Sequence, residues 1–187
     1  MMRLLDLENR HLNTTALILG GGPSLPTDLQ NSPSESILFA VNDHAFHIGV
    51  RPDYMVVMDD PIIKPELYRI VTEGKGFVRV NELQQYTDID MRGVPRPDAR
   101  SGIFAAWLAM YFGCNPILLC GMDLYRGEKK YCHDMDAVMG HKYIFDEPIE
   151  THLKQWGVLK KYPNSRNIRA MSGPLTQLFG SYAIHVI

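Results

Sequence analysis

The chain has 187 residues, of which 45% are hydrophobic and 21% charged, and its formal net charge is -2. This length suits one domain, and the composition is typical of a globular protein rather than a disordered or fibrous one. The near-neutral charge argues against a broad nucleic-acid-binding surface, although it allows one small basic pocket. Three cysteines, Cys114, Cys120 and Cys132, form no close-set disulfide framework, which is typical of a reducing compartment.

The N-terminal segment 1–13 carries Arg3, Asp6, Glu8 and Arg10 where a signal peptide would need an unbroken apolar run. No stretch of the chain approaches the roughly 18 consecutive apolar residues of a membrane span. We therefore expect a cytoplasmic protein without an integral membrane segment. Residues 1–13 are expected to form a short helix or an arm that packs on the domain.

Six short apolar runs, each followed by Gly, Asn, Asp or Ser, predict strands. Most of the runs do not alternate with polar residues, which is typical of strands buried on both faces of a sheet. In chain order they are Ala16–Leu19, Ile37–Val41, Tyr54–Met58, Gly76–Val80, Pro116–Cys120 and Asn167–Met171.

Helical spacing of apolar residues predicts a long helix that starts at Ser101 as its N-cap and ends before Gly113. A second helix is predicted over Ile149–Lys161. Strands that alternate with helices need crossover connections, so the sheet should be mainly parallel. The sequence thus predicts a Rossmann-like, doubly wound α/β fold with helices on both faces. Residues 1–187 would form a single nucleotide-binding domain.

Small and polar residues follow four of the predicted strands. In open α/β sheets, ligands bind outside the carboxyl ends of the strands, so these residues should meet in one crevice. The glycine-rich segment lacks the Gly-Lys-Ser/Thr of a Walker A loop, and Leu25 stands where a dinucleotide fingerprint needs its third glycine. The four segments are Gly20-Gly21-Gly22-Pro23-Ser24, Asn42-Asp43, Asp59-Asp60 and Gly121-Met122-Asp123.

Each of these segments has a functional and a purely structural interpretation. Glycines let a backbone approach a phosphate, but the same residues make a plain tight turn. Asn42 could bond a base or ribose, or form an Asx turn. Asp59 and Asp60 could hold a divalent cation, or cap the segment that begins at Pro61. Arg100 and Ser101 could bind an anion at the helix N-terminus, or be an ordinary helix start.

The segment 125–148 is polar and follows the fifth predicted strand, where long loops commonly act as lids over a site. It contains histidines, which can serve as general bases near neutral pH. Cys132, His133 and His141 match no standard zinc spacing, so we predict no metal site there. Exposed Met and Tyr residues in the segment could support a homo-oligomer.

The glycine loop and three later segments resemble sequence motifs of a known family. Residues Leu17–Leu25 resemble the Gly-x-Gly-Pro-Ser-Leu opening of bacterial lipooligosaccharide sialyltransferases, whose relatives include hydroxymethylpterin diphosphokinase-like and motility-associated glycosyltransferase-like proteins. Ser101-Gly102-Ile103 and the block Gly121-Met122-Asp123-Leu124-Tyr125 resemble the family's Ser-Gly and Gly-x-Asp-x-Tyr motifs. Gly140-His141 resembles its Gly-His.

The resemblance implies a transferase that takes a sugar from a nucleotide-activated donor, of the CMP type, without an essential metal or a resident cofactor. Tyr125 and Tyr131 would contact the donor phosphate and His141 would be the base. Residues that would contact the nucleotide, by resemblance or by their position at the strand ends, are Gly20, Gly21, Gly22, Ser24, Asn42, Asp60, Arg100, Ser101, Gly102 and Asp123. The acceptor is not readable from the sequence.

Two alternatives remain open at this point. Asp59 and Asp60 would suit a magnesium-dependent pyrophosphoryl transferase, as in the diphosphokinase-like branch. The short segment between Tyr125 and His141 would suit a module that binds a nucleotide without catalysis. Neither a fold nor a family fixes the function by itself.

Overall fold

The computed structural model describes residues 1–58, 65–126, 128–133 and 146–183. At its centre is a parallel six-stranded sheet with the strand order β5-β4-β3-β2-β7-β8. The strands of this sheet are β2 (Ala16–Leu19), β3 (Ile37–Val41), β4 (Tyr54–Val56), β5 (Val78–Val80), β7 (Ile117–Cys120) and β8 (Ile168–Ala170). The six predicted strands are all present, and three of them are shorter by two residues than the apolar runs that predicted them.

The central strands are buried on both faces, as their apolar sequences predict. All four residues of β2 and all four of β7 are buried. Successive residues of β2 alternate between two hydrophobic clusters, with Ile18 in one and Leu17 and Leu19 in the other. Burial on both faces requires helices on both sides of the sheet.

One face of the sheet is covered mainly by α4 (Ser101–Tyr111), which packs on β2, β3, β4 and β7. Nine of the eleven residues of α4 are buried, and its alanines allow the helix to approach the sheet closely. The helix α5 (Ile149–Trp156) and the 3-10 helix Gly157–Lys161 lie on the same face, where Trp156 and Leu159 join the core. The short α6 (Thr176–Phe179) adds Phe179 to that core.

The opposite face is covered by three other helices, namely α1 (Leu25–Gln30), α2 (His44–His47) and α3 (Pro65–Glu73). Leu25 and Ala45 pack in the cluster that contains Leu17 and Leu19, and Leu67 packs beside Met55. The two helical layers and the parallel order confirm the predicted doubly wound α/β fold. Among the described residues, no helix is both long and apolar enough to cross a bilayer.

The N-terminal residues run as an arm along the end of α4. Met2–Arg3 form β1, which pairs in parallel with β6 (Ile89–Asp90), and a 3-10 helix follows over Leu4–Leu7. The amides of Asn9, His11 and Asn13 then donate to the carbonyls of Tyr111, Phe112 and Gly113 at 3.1, 2.8 and 2.9 Å. The arm thus supplies donors to carbonyls that the end of a helix leaves without intrahelical partners.

The helix boundaries differ in two places from those predicted. Ser101 is the first residue of α4 rather than its N-cap, and Arg100 occupies the cap position without a capping side-chain bond. The helix predicted over Ile149–Lys161 is α-helical only to Trp156 and continues as a 3-10 helix. Gly113 does follow α4 with a φ of +77°, as a C′ glycine should.

Candidate functional site

A cleft lies at the carboxyl ends of β2, β3 and β7, between the glycine loop, the first turn of α4 and the later residues of α5. Seven predicted nucleotide-binding residues line it, namely Gly20, Gly21, Gly22, Asn42, Arg100, Gly102 and Asp123. Tyr125 and Tyr131 line it as well. The convergence expected from the parallel strand order therefore occurs, and it joins segments more than 100 residues apart in sequence.

The glycine loop, residues 20–24, is pressed against the end of β7. The Gly22 amide donates to the Gly121 carbonyl at 2.8 Å. A Cβ at Gly22 would overlap the Asp123 carboxylate, and one at Gly21 would come within 2.6 Å of the His44 ring. These glycines are required by packing between strand ends, so the structural interpretation of the loop holds whether or not a ligand binds.

Ser24 serves the loop itself rather than lining the cleft. Its amide donates to Asp123 Oδ2 at 3.0 Å, and its hydroxyl lies 2.9 Å from both Asp123 Oδ2 and Asp28 Oδ2. Asp28 is only 4% exposed and also accepts hydrogen bonds from the Gly121 amide at 2.8 Å and the Ser172 hydroxyl at 2.9 Å. The buried Asp28 carboxylate therefore joins the ends of β2, β7 and β8.

Asn42 follows β3 in the left-handed region, with a φ of +55°. Asparagine adopts this conformation more readily than most residues. Its backbone amide donates to the Val56 carbonyl at 3.0 Å, which fixes the residue at the mouth of the cleft. Its side-chain Oδ1 is buried and accepts no hydrogen bond from any residue that the structure describes. A buried acceptor of this kind usually has a donor partner.

The start of α4 forms the opposite wall of the cleft. Arg100 donates through Nη2 to both Glu147 carboxylate oxygens at 3.1 Å, and its Nη1 lies 3.5 Å from His152 Nδ1. The Ser101 hydroxyl accepts from the Met58 amide at 3.0 Å, so this predicted ligand-binding hydroxyl holds the end of β4 instead of facing the cleft. Gly102 lines the cleft, where Trp156 and Met122 stand 3.3 and 3.4 Å from the position of a Cβ.

Two tyrosines face each other across the segment that follows β7. Leu124 and Tyr125 are both left-handed, with φ of 51° and 59°, which is unusual for side chains of this size and costs of order 1–3 kcal/mol each. The Tyr125 and Tyr131 rings are 6.1 Å apart at 76°. Burial first, and then the neighbouring Tyr125, raise the pKa of Tyr131, so its hydroxyl stays protonated and remains a donor at neutral pH.

A cluster of imidazoles stands behind Tyr131. The His44 ring stacks on Tyr131 with centroids 5.0 Å apart, and His44 Nδ1 lies 3.0 Å from His133 Nε2. The His47 ring stacks on His133 at 4.2 Å, and His47 Nε2 is 3.2 Å from the Asp43 carboxylate. His44 was not among the predicted site residues, although its position shortly after the end of the second strand is a usable signal.

His152 and Lys130 are two further cleft residues that sequence analysis did not select. His152 lies 3% exposed in the cleft wall beside Glu147. Lys130 donates to the Tyr125 carbonyl at 3.0 Å and brings a positive charge to the cleft. No sequence motif marked either residue, because their approach depends on how α5 and residues 128–133 fold over the sheet.

Three predicted site residues, Asp59, Asp60 and His141, lie outside the described residues. In the described part of the chain, no group of three or more His, Cys, Asp or Glu side chains is arranged to hold a metal ion. Cys132 does not cluster with histidines for that purpose, and its amide donates to the Gly21 carbonyl at 2.8 Å. This bond fastens residues 128–133 to the glycine loop.

The fold and the cleft define a Rossmann-like α/β protein with a candidate ligand site at its strand ends. No protein-family model matches the sequence, and no curated protein matches it. Among solved structures, the chain is similar to sialyltransferase CstII from Campylobacter jejuni in complex with cytidine-5'-monophosphate. That match has a TM-score of 0.60 and 16% identity, and covers 92% of this chain and 86% of CstII.

Two further sialyltransferase structures are similar over most of the chain. CstII in complex with a trisaccharide acceptor and CMP gives a TM-score of 0.57 at 16% identity, over 90% of this chain and 86% of that one. The monofunctional alpha-2,3-sialyltransferase Cst-I from Campylobacter jejuni gives 0.56 at 17% identity, over 91% and 81%. At this identity the likeness establishes a shared fold. The diphosphokinase-like branch of the resemblance gains no support from these structures.

Proposed function

We propose that this protein is a glycosyltransferase that moves a sugar from a CMP-linked donor to an acceptor hydroxyl. The observation that carries the proposal is the meeting, in one cleft, of the glycine loop, Asn42, Tyr125 and Tyr131. The glycine loop and Tyr125 belong to two separate motifs of the sialyltransferase resemblance, and the same resemblance implies donor contacts for Asn42 and Tyr131. The fold shared with CstII and Cst-I supports the same conclusion independently.

The cleft offers suitable groups for each part of such a donor. Asn42 Oδ1, buried without a described donor, would accept a hydrogen bond from the base or ribose of the nucleotide. Asp123, tied to the glycine loop through Ser24, would accept a ribose hydroxyl. The hydroxyls of Tyr125 and Tyr131 and the ammonium of Lys130 would contact the phosphate, since all three residues line the cleft.

The chemistry follows from these positions. The bond between the anomeric carbon and the phosphate oxygen breaks, and its electron pair stays on the CMP phosphate. Hydroxyl donors at Tyr125 and Tyr131 would stabilise this charge as it develops, without a metal ion. The acceptor oxygen forms the new bond to the anomeric carbon, and its proton passes to a base. The sequence resemblance assigns that base to His141.

Binding of a nucleotide sugar requires the cleft to widen. Its volume is about 100 Å³, whereas sites for small molecules usually measure about 300–1,000 Å³. Residues 128–133 narrow the cleft, since Lys130 and Tyr131 line it and the Cys132 amide is bonded to Gly21. We propose that these residues move away from the glycine loop when the donor enters.

Calorimetric titration with CMP, CDP, ATP and GTP, each with and without magnesium, tests the nucleotide. We expect CMP to bind without magnesium and the purine nucleotides to bind much more weakly. A preference for ATP that depends on magnesium would instead favour pyrophosphoryl transfer through Asp59 and Asp60. Failure of all four to bind would contradict the proposed nucleotide site.

Turnover of CMP-sugars tests catalysis in a second step. Release of CMP from CMP-sialic acid should be lost in His141→Ala, while the affinity for CMP stays within about twofold. Unchanged turnover in this variant would reject His141 as the base. Tight CMP binding without turnover of any CMP-sugar would show a nucleotide-binding module instead of an enzyme.

A further inference from the structure

A second cavity opens beside the nucleotide cleft. This groove has a volume of about 720 Å³, well within the usual range for a small-molecule site. It shares Arg100, Ile103 and Gln155 with the cleft, so these residues form the wall between the two cavities. A ligand in the groove would therefore lie next to a donor in the cleft.

The groove combines an aliphatic surface with hydrogen-bonding groups. Met58, Ala99, Ile103 and Val158 supply the apolar part. Thr151 and Gln155 add uncharged donors and acceptors from α5. Apolar walls with a few placed polar groups are typical of sites that bind uncharged organic ligands in a fixed orientation.

The charges around the groove balance each other. Glu82 forms an ion pair with Arg96 at 2.6 Å, and Arg100 forms one with Glu147 at 3.1 Å. That leaves Asp98 and Lys154, which have opposite charges, and neither is joined by an ion pair to another described residue. The groove consequently presents no excess of either sign to a ligand.

We propose that this groove is the acceptor site and that it takes an uncharged, polyhydroxylated ligand, namely a neutral glycan. This inference rests on the proposed glycosyltransferase function, since glycosyl transfer needs an acceptor beside the nucleotide-linked donor. Asp98 accepts hydrogen bonds from sugar hydroxyls, Lys154 donates to them, and the aliphatic side chains cover the C–H faces of the ring.

Saturation-transfer NMR with the protein in the presence of CMP tests the groove. The probes are three neutral disaccharides, lactose, maltose and cellobiose, together with lactobionate, the carboxylate analogue of lactose. We expect magnetic saturation to pass from the protein to at least one neutral disaccharide. The saturation-transfer signal of lactobionate should be weaker than that of lactose. A stronger signal for lactobionate, or no signal from any neutral disaccharide, would overturn the proposal.

Two variants locate the binding in the groove. Thr151→Trp fills the groove and should weaken the disaccharide signal by about tenfold, and Asp98→Asn should weaken it less because Asp98 is exposed. Thr27→Trp places the same bulk on the exposed side of α1, across the sheet, and serves as the matched control. Equal signals in Thr151→Trp and Thr27→Trp would overturn the assignment.

Titration with CMP in the same samples separates this inference from the proposed function. If CMP binds and no disaccharide does, the assignment of the groove as an acceptor site is wrong, and the proposed donor site is unaffected. If a disaccharide binds and CMP does not, the groove stands as a glycan site and the proposed donor fails. Circular dichroism of Thr151→Trp checks that the variant is folded; if it is not, Asp98→Asn decides the assignment alone.

Discussion

The His44 ring lies so close to Gly21 that a methyl group on Gly21 would come within 2.6 Å of the imidazole carbons. The side chain that follows β3 therefore fills the space that a side chain in the glycine loop would otherwise take. His44 in turn stacks on Tyr131 at 5.0 Å, which connects the loop to residues 128–133. A substitution at Gly21 should therefore displace His44 and, through it, Tyr131.

Gly21→Ala should lower the free energy of unfolding by about 1–3 kcal/mol, because overpacking forces the His44 ring to move. Combining it with His44→Ala should recover part of the loss, since the double variant removes the overlap. Urea denaturation of the four proteins measures this coupling. Gly157→Ala is the control, because nothing lies within 4 Å of its Cβ position. Strictly additive losses would contradict the contact.

Tyr131→Phe should reduce kcat for donor turnover by about 10²–10³-fold, the usual effect of removing one donor to a developing anion. The affinity for CMP should change little, because the phosphate acquires its extra charge only as the bond breaks. Steady-state kinetics with CMP-sialic acid measures the effect. Tyr68→Phe, on α3 and 40% exposed, is the matched control. Equal kcat values for the two variants would argue against the role of Tyr131.

Asp28→Asn should destabilise the fold by about 2–3 kcal/mol, since hydrogen bonds to a buried charged group contribute more than neutral ones. One carboxylate oxygen of Asp28 accepts from Ser24, Gly121 and Ser172, and an amide oxygen in its place would accept these bonds without the negative charge that strengthens them. Thermal and urea unfolding measure the change, with the exposed Glu35→Gln as control. A loss no larger than that of the control would mean that the network contributes nothing net.

Stability should fall as the pH drops below about 6.5, partly because of His11. Burial lowers the pKa of His11 below its ordinary value of 6.5, and its Nε2 lies 2.7 Å from the Tyr54 hydroxyl. The unfolded chain therefore binds the proton first, and folding stability present above pH 6.5 is lost as the pH falls through the lower, folded pKa.

The variant His11→Gln isolates this contribution, because glutamine keeps a hydrogen-bonding group near Tyr54 and does not titrate. The free energy of unfolding, measured from pH 7.5 to 4.5, should fall less steeply in the variant than in the natural protein. Parallel curves for the two proteins would show that His11 is not responsible. Carboxylates with lowered pKa, such as Asp88 beside Arg79, contribute to acid unfolding in a more acidic range.

The sequence by itself determined the sheet and the edge at which ligands would bind. Unbroken apolar runs such as Ala16–Leu19 can be buried on both faces only as inner strands, and crossover helices make such strands parallel. The residues that follow parallel strands lie at one edge of the sheet, so the sequence alone places Gly21, Asn42 and Asp123 in one cleft. These inferences depend on local composition and on general rules of chain connection.

The tertiary structure alone decided which polar groups face the cleft. Ser24 and Ser101 have residue types that suit a nucleotide, yet their hydroxyls are bonded to Asp28 and Asp123 and to the Met58 amide, respectively. His152 had no motif around it, yet the packing of α5 buries it in the cleft wall. Such outcomes depend on hydrogen bonds and packing between residues that are 43 to 144 positions apart in the chain, which no local pattern encodes.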